Sequence, residues 1–239
     1  MHQLSLKGGR EICSGTAVAF LDGVLNRGHR INSAKFIDST LAGGLGLYES
    51  GLKAKSKQAR ILGIPDSDQN SRQLAAYNLV DFAENGLVRK RTPKSAIAKT
   101  PERFSENLQA AIHGSLIPEA QKSSDKRAGM TLSFNGKTYA ISVELNGPKT
   151  SFLFYDSHGK KELGGNAYTF ESSRIHEFTG FISRQAEFVS RKMTDIQGLT
   201  KKEIALLSMD QDGDNEMGFM LLAPNDSLGG SSVSHMAPS

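Results

Sequence analysis

Apolar residues in the first part of the chain recur three and four positions apart, a spacing typical of helices. The predicted helices cover residues 13–27, 33–41 and 71–84. Glycines at positions 43, 44 and 46 are expected to end the second helix. Residues 89–127 are rich in Lys, Ser and Pro, and they predict a surface excursion that contains one helix at 101–113.

The pattern changes at Ala128, where short runs of β-branched, aromatic and aliphatic residues begin. These runs predict strands at 130–134, 138–145 and 151–156, separated by turns at Gly136 and Gly147. Strands so close in sequence fit an antiparallel meander. A helix at 172–193 and a last strand at 217–222 are predicted to follow.

Helices followed by an antiparallel sheet predict a single α+β domain over residues 1–222. Residues 223–239 are rich in Ser, Gly and Pro, and they carry too little apolar surface to fold. We therefore expect a disordered tail after the domain.

The composition narrows the classes of protein and partner. The 239 residues, 38% of them hydrophobic, fit one core of ordinary size. The net charge of +4 is far below that of proteins that bind many phosphates, so nucleic acid is not predicted as a partner. No apolar run approaches the roughly 18 residues that span a bilayer, and we expect a soluble, monomeric protein without an integral membrane segment.

The cysteine and acidic residues argue against a metal or cofactor. The sequence contains one cysteine, Cys13, which excludes an intramolecular disulfide and a zinc site with several cysteines. The acidic segment 210–214 begins like a calcium loop but lacks the required Gly and Glu that follow. No metal or cofactor is therefore predicted.

Cys13 lies at the predicted start of the first helix. The partial positive charge and the free N–H groups of a helix N-terminus lower the pKa of a thiol and favour the reactive thiolate. A nucleophilic cysteine also needs a nearby imidazole and a third group that orients this imidazole. A lone cysteine is otherwise most often a small buried apolar residue, so its position alone leaves both interpretations open.

Asp156 and His158 follow the apolar run at the end of the third predicted strand. Side chains two positions apart in a strand point to the same face, so the carboxylate and the imidazole are predicted to lie side by side. Such a pair can act as a general base. Asp-Ser-His before Gly159 is also an ordinary strand-to-turn sequence, and this motif alone does not establish catalysis.

Together the two motifs resemble a known family. A cysteine at an early helix start, followed about 140 residues later by Phe-Leu-Phe-Tyr-Asp156-Ser157-His158, is similar to the herpesvirus large-tegument-protein deubiquitinases and their bacterial tegument-like relatives. The resemblance implies a papain-like cysteine protease, whose helical half packs on the antiparallel sheet. It implies that Cys13 is the nucleophile, His158 the general base and Asp156 its orienting group. It also implies that Gln3 helps to bind the oxyanion.

The same resemblance, which extends to the segment 167–170, implies the substrate and the setting. Ubiquitin, polyubiquitin chains or a ubiquitin-like modifier are the expected partners, and no cofactor is expected. The bacterial relatives imply a secreted effector that acts in the host cell cytoplasm. The arginines of the ubiquitin tail need acidic contacts, and the candidates are Asp66, Asp68, Asp81 and Glu84. Each of these also fits a solvated surface charge.

Two alternatives remain open. Papain-like effector proteases and glutamine deamidases place the histidine one strand earlier and would use Asp156 as the third member. The matching stretch here, Thr138-Tyr139-Ala140-Ile141, contains no histidine, which favours the Asp-x-His interpretation. The other alternative belongs to a different class, a non-catalytic module that binds ubiquitin or a host protein.

Overall fold

An antiparallel sheet with helices on both faces forms the core of the protein. The computed structural model describes residues 12–27, 34–61, 76–83, 86–91, 93–159, 166–188 and 215–225. The helices described are α1 (Cys13–Arg27), α2 (Ala34–Ile61), α3 (Pro101–Ala111), α4 (Ile117–Lys122) and α5 (Ile175–Gln185). The strands are β1 (Leu87–Arg89), β2 (Ala96–Ile97), β3 (Arg127–Phe134), β4 (Lys137–Asn146), β5 (Lys149–Asp156), β6 (Tyr168–Ser172) and β7 (Glu216–Pro224). The fold class is α+β, as the sequence predicts.

The sheet contains the predicted meander. Among the described residues the strand order is β1-β7-β3-β4-β5-β6, with β2 also paired to β7, and every pairing is antiparallel. A tight turn joins β3 to β4, where Asn135 and Gly136 have φ angles of 47° and 76°. Two consecutive positive φ angles give the hairpin turn whose twist matches that of the strands. The turn therefore sets the register of β3 and β4.

α1 covers one face of the sheet and is apolar on nearly all sides. Its Val18, Phe20 and Leu21 are fully buried in a core formed with α2 and the sheet. The Phe20 ring stacks on Tyr155 of β5, with centroids 4.4 Å apart and planes within 6°. A helix buried in this way is held by its packing more than by its own propensity. Its first residue, Cys13, is consequently fixed relative to the sheet.

α2 has 28 residues and continues through the glycines predicted to end it. The prediction of a helix that stops at residue 41 is wrong. A Cβ on Gly44 would lie 2.5 Å from Thr16 Cα, and one on Gly15 would lie 2.3 Å from the Gly44 carbonyl oxygen. These glycines allow the backbones of α1 and α2 to touch one turn from the cysteine. Their role is close packing rather than helix termination.

Residues 89–127 form the second face of the core and are not a surface excursion. The fully buried side chains of the helical part of this segment are spaced four residues apart and comprise Phe104, Leu108, Ile112, Leu116 and Ala120. The predicted helix 101–113 is confirmed as α3, and a π-helical turn over Ile112–Leu116 joins it to α4. The Lys and Ser residues that suggested a surface segment alternate with this apolar stripe, which lies against the sheet.

Two further helix predictions differ from the structure. Within the predicted helix 71–84, the described residues form two short 3₁₀ turns, Ala76–Asn78 and Val80–Phe82. The helix predicted at 172–193 is the shorter α5, because the backbone becomes extended at Ala186, with ψ of 133°. Residues 71–75, 84 and 189–193 lie outside the described residues.

The last strand is longer than predicted. β7 continues through Pro224, and its register pairs Ala223 with Val88 and Pro224 with Leu87 of β1. These two residues belong to the sheet, so the predicted tail does not begin at 223. Residues 226–239 lie outside the described residues.

Candidate active site

Cys13 is the first residue of α1, as the sequence predicts. The Thr16 N–H donates to the Ile12 carbonyl at 2.9 Å, and the Thr16 hydroxyl donates to the Cys13 carbonyl at 3.0 Å. In this first turn the Cys13 N–H has no acceptor within the helix. Cys13 is 7% exposed, so its thiol lies in a largely water-excluded position at a helix N-terminus.

Asp156 and His158 contact each other at the end of β5. Asp156 Oδ1 accepts a hydrogen bond from the His158 backbone N–H at 2.8 Å and lies 2.7 Å from His158 Nδ1. The Asp156 side chain is 1% exposed and that of His158 is 14% exposed. Because Nδ1 is held by the carboxylate, Nε2 is the ring nitrogen available to another group. The predicted side-by-side arrangement of the two residues is present.

The imidazole of His158 is also in hydrogen-bond contact with the Cys13 thiol. Burial alone would raise the thiol pKa, but the hydrogen bond and the charge of His158 lower this pKa below 9.0. Burial alone would lower the pKa of His158, but its contacts with Asp156 and Cys13 raise it to about 9. Both shifts favour a thiolate paired with an imidazolium near neutral pH.

Two tyrosines enclose the carboxylate and the imidazole. The Tyr168 hydroxyl donates to Asp156 Oδ2 at 3.2 Å, across the register that pairs these residues of β5 and β6. The Tyr139 ring of β4 lies 5.7 Å from the His158 ring, centroid to centroid. No local sequence pattern predicts a role for either tyrosine. The family resemblance does extend to the segment 167–170, which contains Tyr168, and this is the one indication that Tyr168 belongs to the site.

Thr138 on β4 is a further neighbour of the thiol. Its backbone N–H and its hydroxyl both lie against the Cys13 sulfur and lower the pKa of the thiol, and the hydroxyl oxygen also lies 3.5 Å from that of Ser133. In the sequence this stretch of β4 is distinguished only by its lack of a histidine. The sequence does not predict the contact of Thr138 with Cys13, because this contact arises from packing between α1 and the sheet.

The remaining predicted site residues are Gln3, Asp66, Asp68, Asp81 and Glu84. Gln3, Asp66, Asp68 and Glu84 lie outside the described residues. Asp81 is exposed and forms an ion pair with Arg89, with Oδ1 and Nη2 3.5 Å apart. A role for these side chains in oxyanion or substrate binding stays a prediction.

The described residues contain neither a metal cluster nor a membrane-spanning helix. In those parts of the chain, no group of three or more His, Cys, Asp or Glu side chains is placed to hold a metal ion. Nor does any helix there have the length and apolarity needed to cross a membrane. The acidic segment 210–214 lies outside the described residues.

Comparison with known proteins adds evidence on the fold. No protein-family model matches the chain, and no curated protein matches its sequence. The structure is similar to that of the ubiquitin-specific protease encoded by a murine cytomegalovirus tegument protein, solved with a ubiquitin-based suicide substrate. The TM-score is 0.59 at 13% identity, over 92% of this chain and 82% of the viral one. The two chains share the same overall fold.

A second similar structure is that of the Pseudomonas avirulence protein AvrPphB, with a TM-score of 0.43 and 16% identity. The match covers 88% of this chain and 90% of the bacterial one.

Proposed function

We propose that the protein is a cysteine protease that removes ubiquitin by hydrolysing the bond after the C-terminal glycine of ubiquitin. The observation that carries the proposal is the contact of Cys13, His158 and Asp156 at the N-terminus of α1. A nucleophile, a base and an orienting carboxylate within hydrogen-bond reach are what thiol-dependent hydrolysis requires. The likeness in fold to a protease bound to a ubiquitin-based substrate supports ubiquitin as the modifier.

The proposed reaction starts from the Cys13 thiolate and the His158 imidazolium. The thiolate attacks the glycine carbonyl carbon, a C–S bond forms, and the carbonyl oxygen becomes an oxyanion. The Cys13 N–H faces away from its own helix and is a donor for this oxyanion, with Gln3 as the second proposed donor. The imidazolium protonates the leaving amine as the C–N bond breaks, which leaves a thioester.

Hydrolysis of the thioester restores the enzyme. The neutral imidazole of His158 takes a proton from water, and the resulting hydroxide attacks the thioester carbonyl. The C–S bond breaks, ubiquitin leaves with a free carboxyl group that loses its proton to the solvent, and the Cys13 thiolate and the imidazolium are restored. Throughout the cycle Asp156 holds Nδ1, so Nε2 exchanges every proton.

The pKa shifts define the pH range of activity. Attack needs the thiolate, so activity rises as the pH passes the lowered pKa of Cys13. Amine departure needs the imidazolium, so activity falls as the pH passes about 9, the raised pKa of His158. Activity is therefore expected to be highest between these two values.

The deciding experiment uses ubiquitin that carries a C-terminal propargylamide, which reacts with a neighbouring thiolate. We expect a covalent adduct with the wild-type protein, and its site must be Cys13, because the sequence has one cysteine. Cys13→Ala is expected to give no adduct. His158→Ala is expected to slow labelling by about 10²-fold, the usual contribution of a positioned base. The exposed His176 on α5 provides the matched control, and His176→Ala should label like the wild type.

Two results would contradict the proposal. Absence of an adduct with ubiquitin and with ubiquitin-like modifier probes, from a protein that unfolds cooperatively, would favour the effector protease, deamidase or binding-module alternatives. An equal labelling rate for His158→Ala and the wild type would show that His158 is not the general base.

We further expect a secreted effector that acts in the host cell cytoplasm, on the basis of the family resemblance.

A further inference from the structure

The Cys13 thiol has a polar neighbour, Thr138, that does not belong to the Cys-His-Asp triad. Thr138 places its backbone N–H and its hydroxyl against the Cys13 sulfur, while the same hydroxyl can accept from Ser133, whose hydroxyl oxygen is 3.5 Å away. Thr138 is 7% exposed, so both donors are largely shielded from water. Hydrogen bonds from such donors to an anion are about twice as strong as those between neutral groups.

The register of the sheet explains why both donors are available. Thr138 is paired with Ser133 of β3, one position beyond the residues that flank the two-residue turn. Pairs alternate between hydrogen-bonded and non-hydrogen-bonded in such a hairpin, so the Thr138 N–H points away from β3. On the other side, the pairing of β4 with β5 begins at Ala140 and Tyr155. Thr138 lies two residues before this pairing begins, so its N–H is not used by β5. This N–H lies instead against Cys13 at the start of α1.

The other polar neighbours of the thiol are few in the described residues. His158 and Tyr139 are the titratable groups that interact with it, and Asp156 acts through the imidazole. Burial and the charge of Asp156 raise the pKa of Tyr139 far above its usual range, so Tyr139 stays neutral. From α2, Tyr48 packs against the first turn of α1 beside Gly15.

We propose that Thr138 is a catalytic residue, whose backbone N–H and hydroxyl stabilise the Cys13 thiolate together with the imidazolium of His158. Its part in turnover rests on the proposed protease function. The stabilisation of the thiolate itself is a property of the folded chain and is tested without ubiquitin. During turnover the imidazole gives up its proton and its charge, whereas the Thr138 donors stay in place for every thiolate that forms.

The test measures the pH dependence of Cys13 alkylation by iodoacetamide. Because the chain has one cysteine, the mass of the intact protein reports this site alone. Thr138→Val removes the hydroxyl and keeps the size and the backbone N–H. We expect the midpoint of the rate against pH to rise by about one pH unit, the effect of one lost hydrogen bond to a charged group. Thr138→Ser retains the hydroxyl and is expected to keep the wild-type midpoint.

A matched control removes a different buried threonine hydroxyl from the same sheet. Thr131 of β3 is 2% exposed, and Thr131→Val is expected to leave the midpoint unchanged. A cooperative unfolding transition shows that each variant is folded, and Thr138→Ala replaces Thr138→Val if the latter does not fold. An unchanged midpoint in folded Thr138→Val, or in folded Thr138→Ala where it is used instead, would overturn the proposal.

The outcome is separable from that of the proposed function. A raised midpoint in Thr138→Val supports the thiolate role even if no ubiquitin probe labels the wild type. Slower ubiquitin labelling of Thr138→Val with an unchanged alkylation midpoint would overturn it, because the hydroxyl would then contact substrate instead of the thiolate.

Discussion

At the scale of single residues, the site depends on how the buried carboxylate of Asp156 is held. Its two oxygens accept hydrogen bonds from the His158 backbone, the His158 ring and the Tyr168 hydroxyl. A buried charge is stable only when its hydrogen-bonding positions are filled. These bonds also fix the carboxylate plane, and with it the direction of Nε2 toward Cys13. Tyr168 is therefore a positioning residue that acts through Asp156.

Tyr168→Phe tests this role, because it removes one hydrogen bond and keeps the ring packed near Phe154 and Phe181, with centroids 6.1 and 6.3 Å away. We expect kcat to fall by about 3- to 10-fold, which corresponds to roughly 1 kcal/mol. KM should stay unchanged if Tyr168 acts through the Asp156 carboxylate, to which its hydroxyl donates. Steady-state hydrolysis of a fluorogenic ubiquitin amide measures both constants. A change in KM alone would contradict the positioning role.

The sequence predicted the residues of the site that are defined by local pattern. Cys13 follows from its place at a helix start, and the contact of Asp156 with His158 follows from their separation of two. Tyr168 and Thr138 reach the site through strand register and helix packing. Local pattern does not contain that information, so the role of Thr138 could not be predicted, and Tyr168 was indicated only by the family resemblance that extends to residues 167–170.

At the scale of the elements, the contact between α1 and α2 fixes the turn that carries the cysteine. The glycines of α2 are unfavourable for a helix when only local propensity is considered, which is why the sequence predicts a stop there. The tertiary contact reverses this conclusion, because a side chain at position 44 would overlap the backbone of α1 at Thr16. Apolar periodicity, in contrast, predicted α1 and the meander correctly, since those elements bury one continuous set of side chains.

Gly44→Ala is expected to lower the free energy of unfolding by about 1–3 kcal/mol, the usual effect of overpacking. It should also slow alkylation of Cys13, because the first turn of α1 has to move. Gly46 is the matched control, since it is exposed on the same helix and a Cβ there would meet nothing within 4 Å. Gly46→Ala should raise stability by about 0.5–1 kcal/mol. Urea unfolding of both variants measures the difference, and equal effects would contradict the packing role.

At the scale of the whole molecule, one sheet joins two apolar cores. Neighbouring residues of a strand point to opposite faces, so Ala140 and Tyr155 enter the core beneath α1, while Ile141 and Phe154 enter the core beneath α3 and α5. The candidate site lies where α1 meets the ends of β4 and β5. Because both cores share these strands, disruption of either core is expected to disturb the geometry of the site. The described domain should therefore unfold as one cooperative unit.

Phe104 on α3 tests this coupling from the face opposite Cys13. It is fully buried, and its ring lies 4.9 Å from that of Phe134, the last residue of β3 before the turn that leads to Thr138. Phe104→Ala is expected to lower the free energy of unfolding by about 3–5 kcal/mol. Urea unfolding should give coincident transitions by circular dichroism and by the exposure of Cys13 to alkylation.

The exposed Glu106 on the same helix is the matched control, and Glu106→Ala should change the free energy of unfolding by less than about 0.5 kcal/mol. If residues 89–127 were the surface excursion that their composition suggests, Phe104→Ala would have as small an effect as this control. Separate transitions for circular dichroism and for Cys13 exposure would instead show that the two cores unfold independently. The thiol would then depend on α1, α2 and the sheet without support from α3.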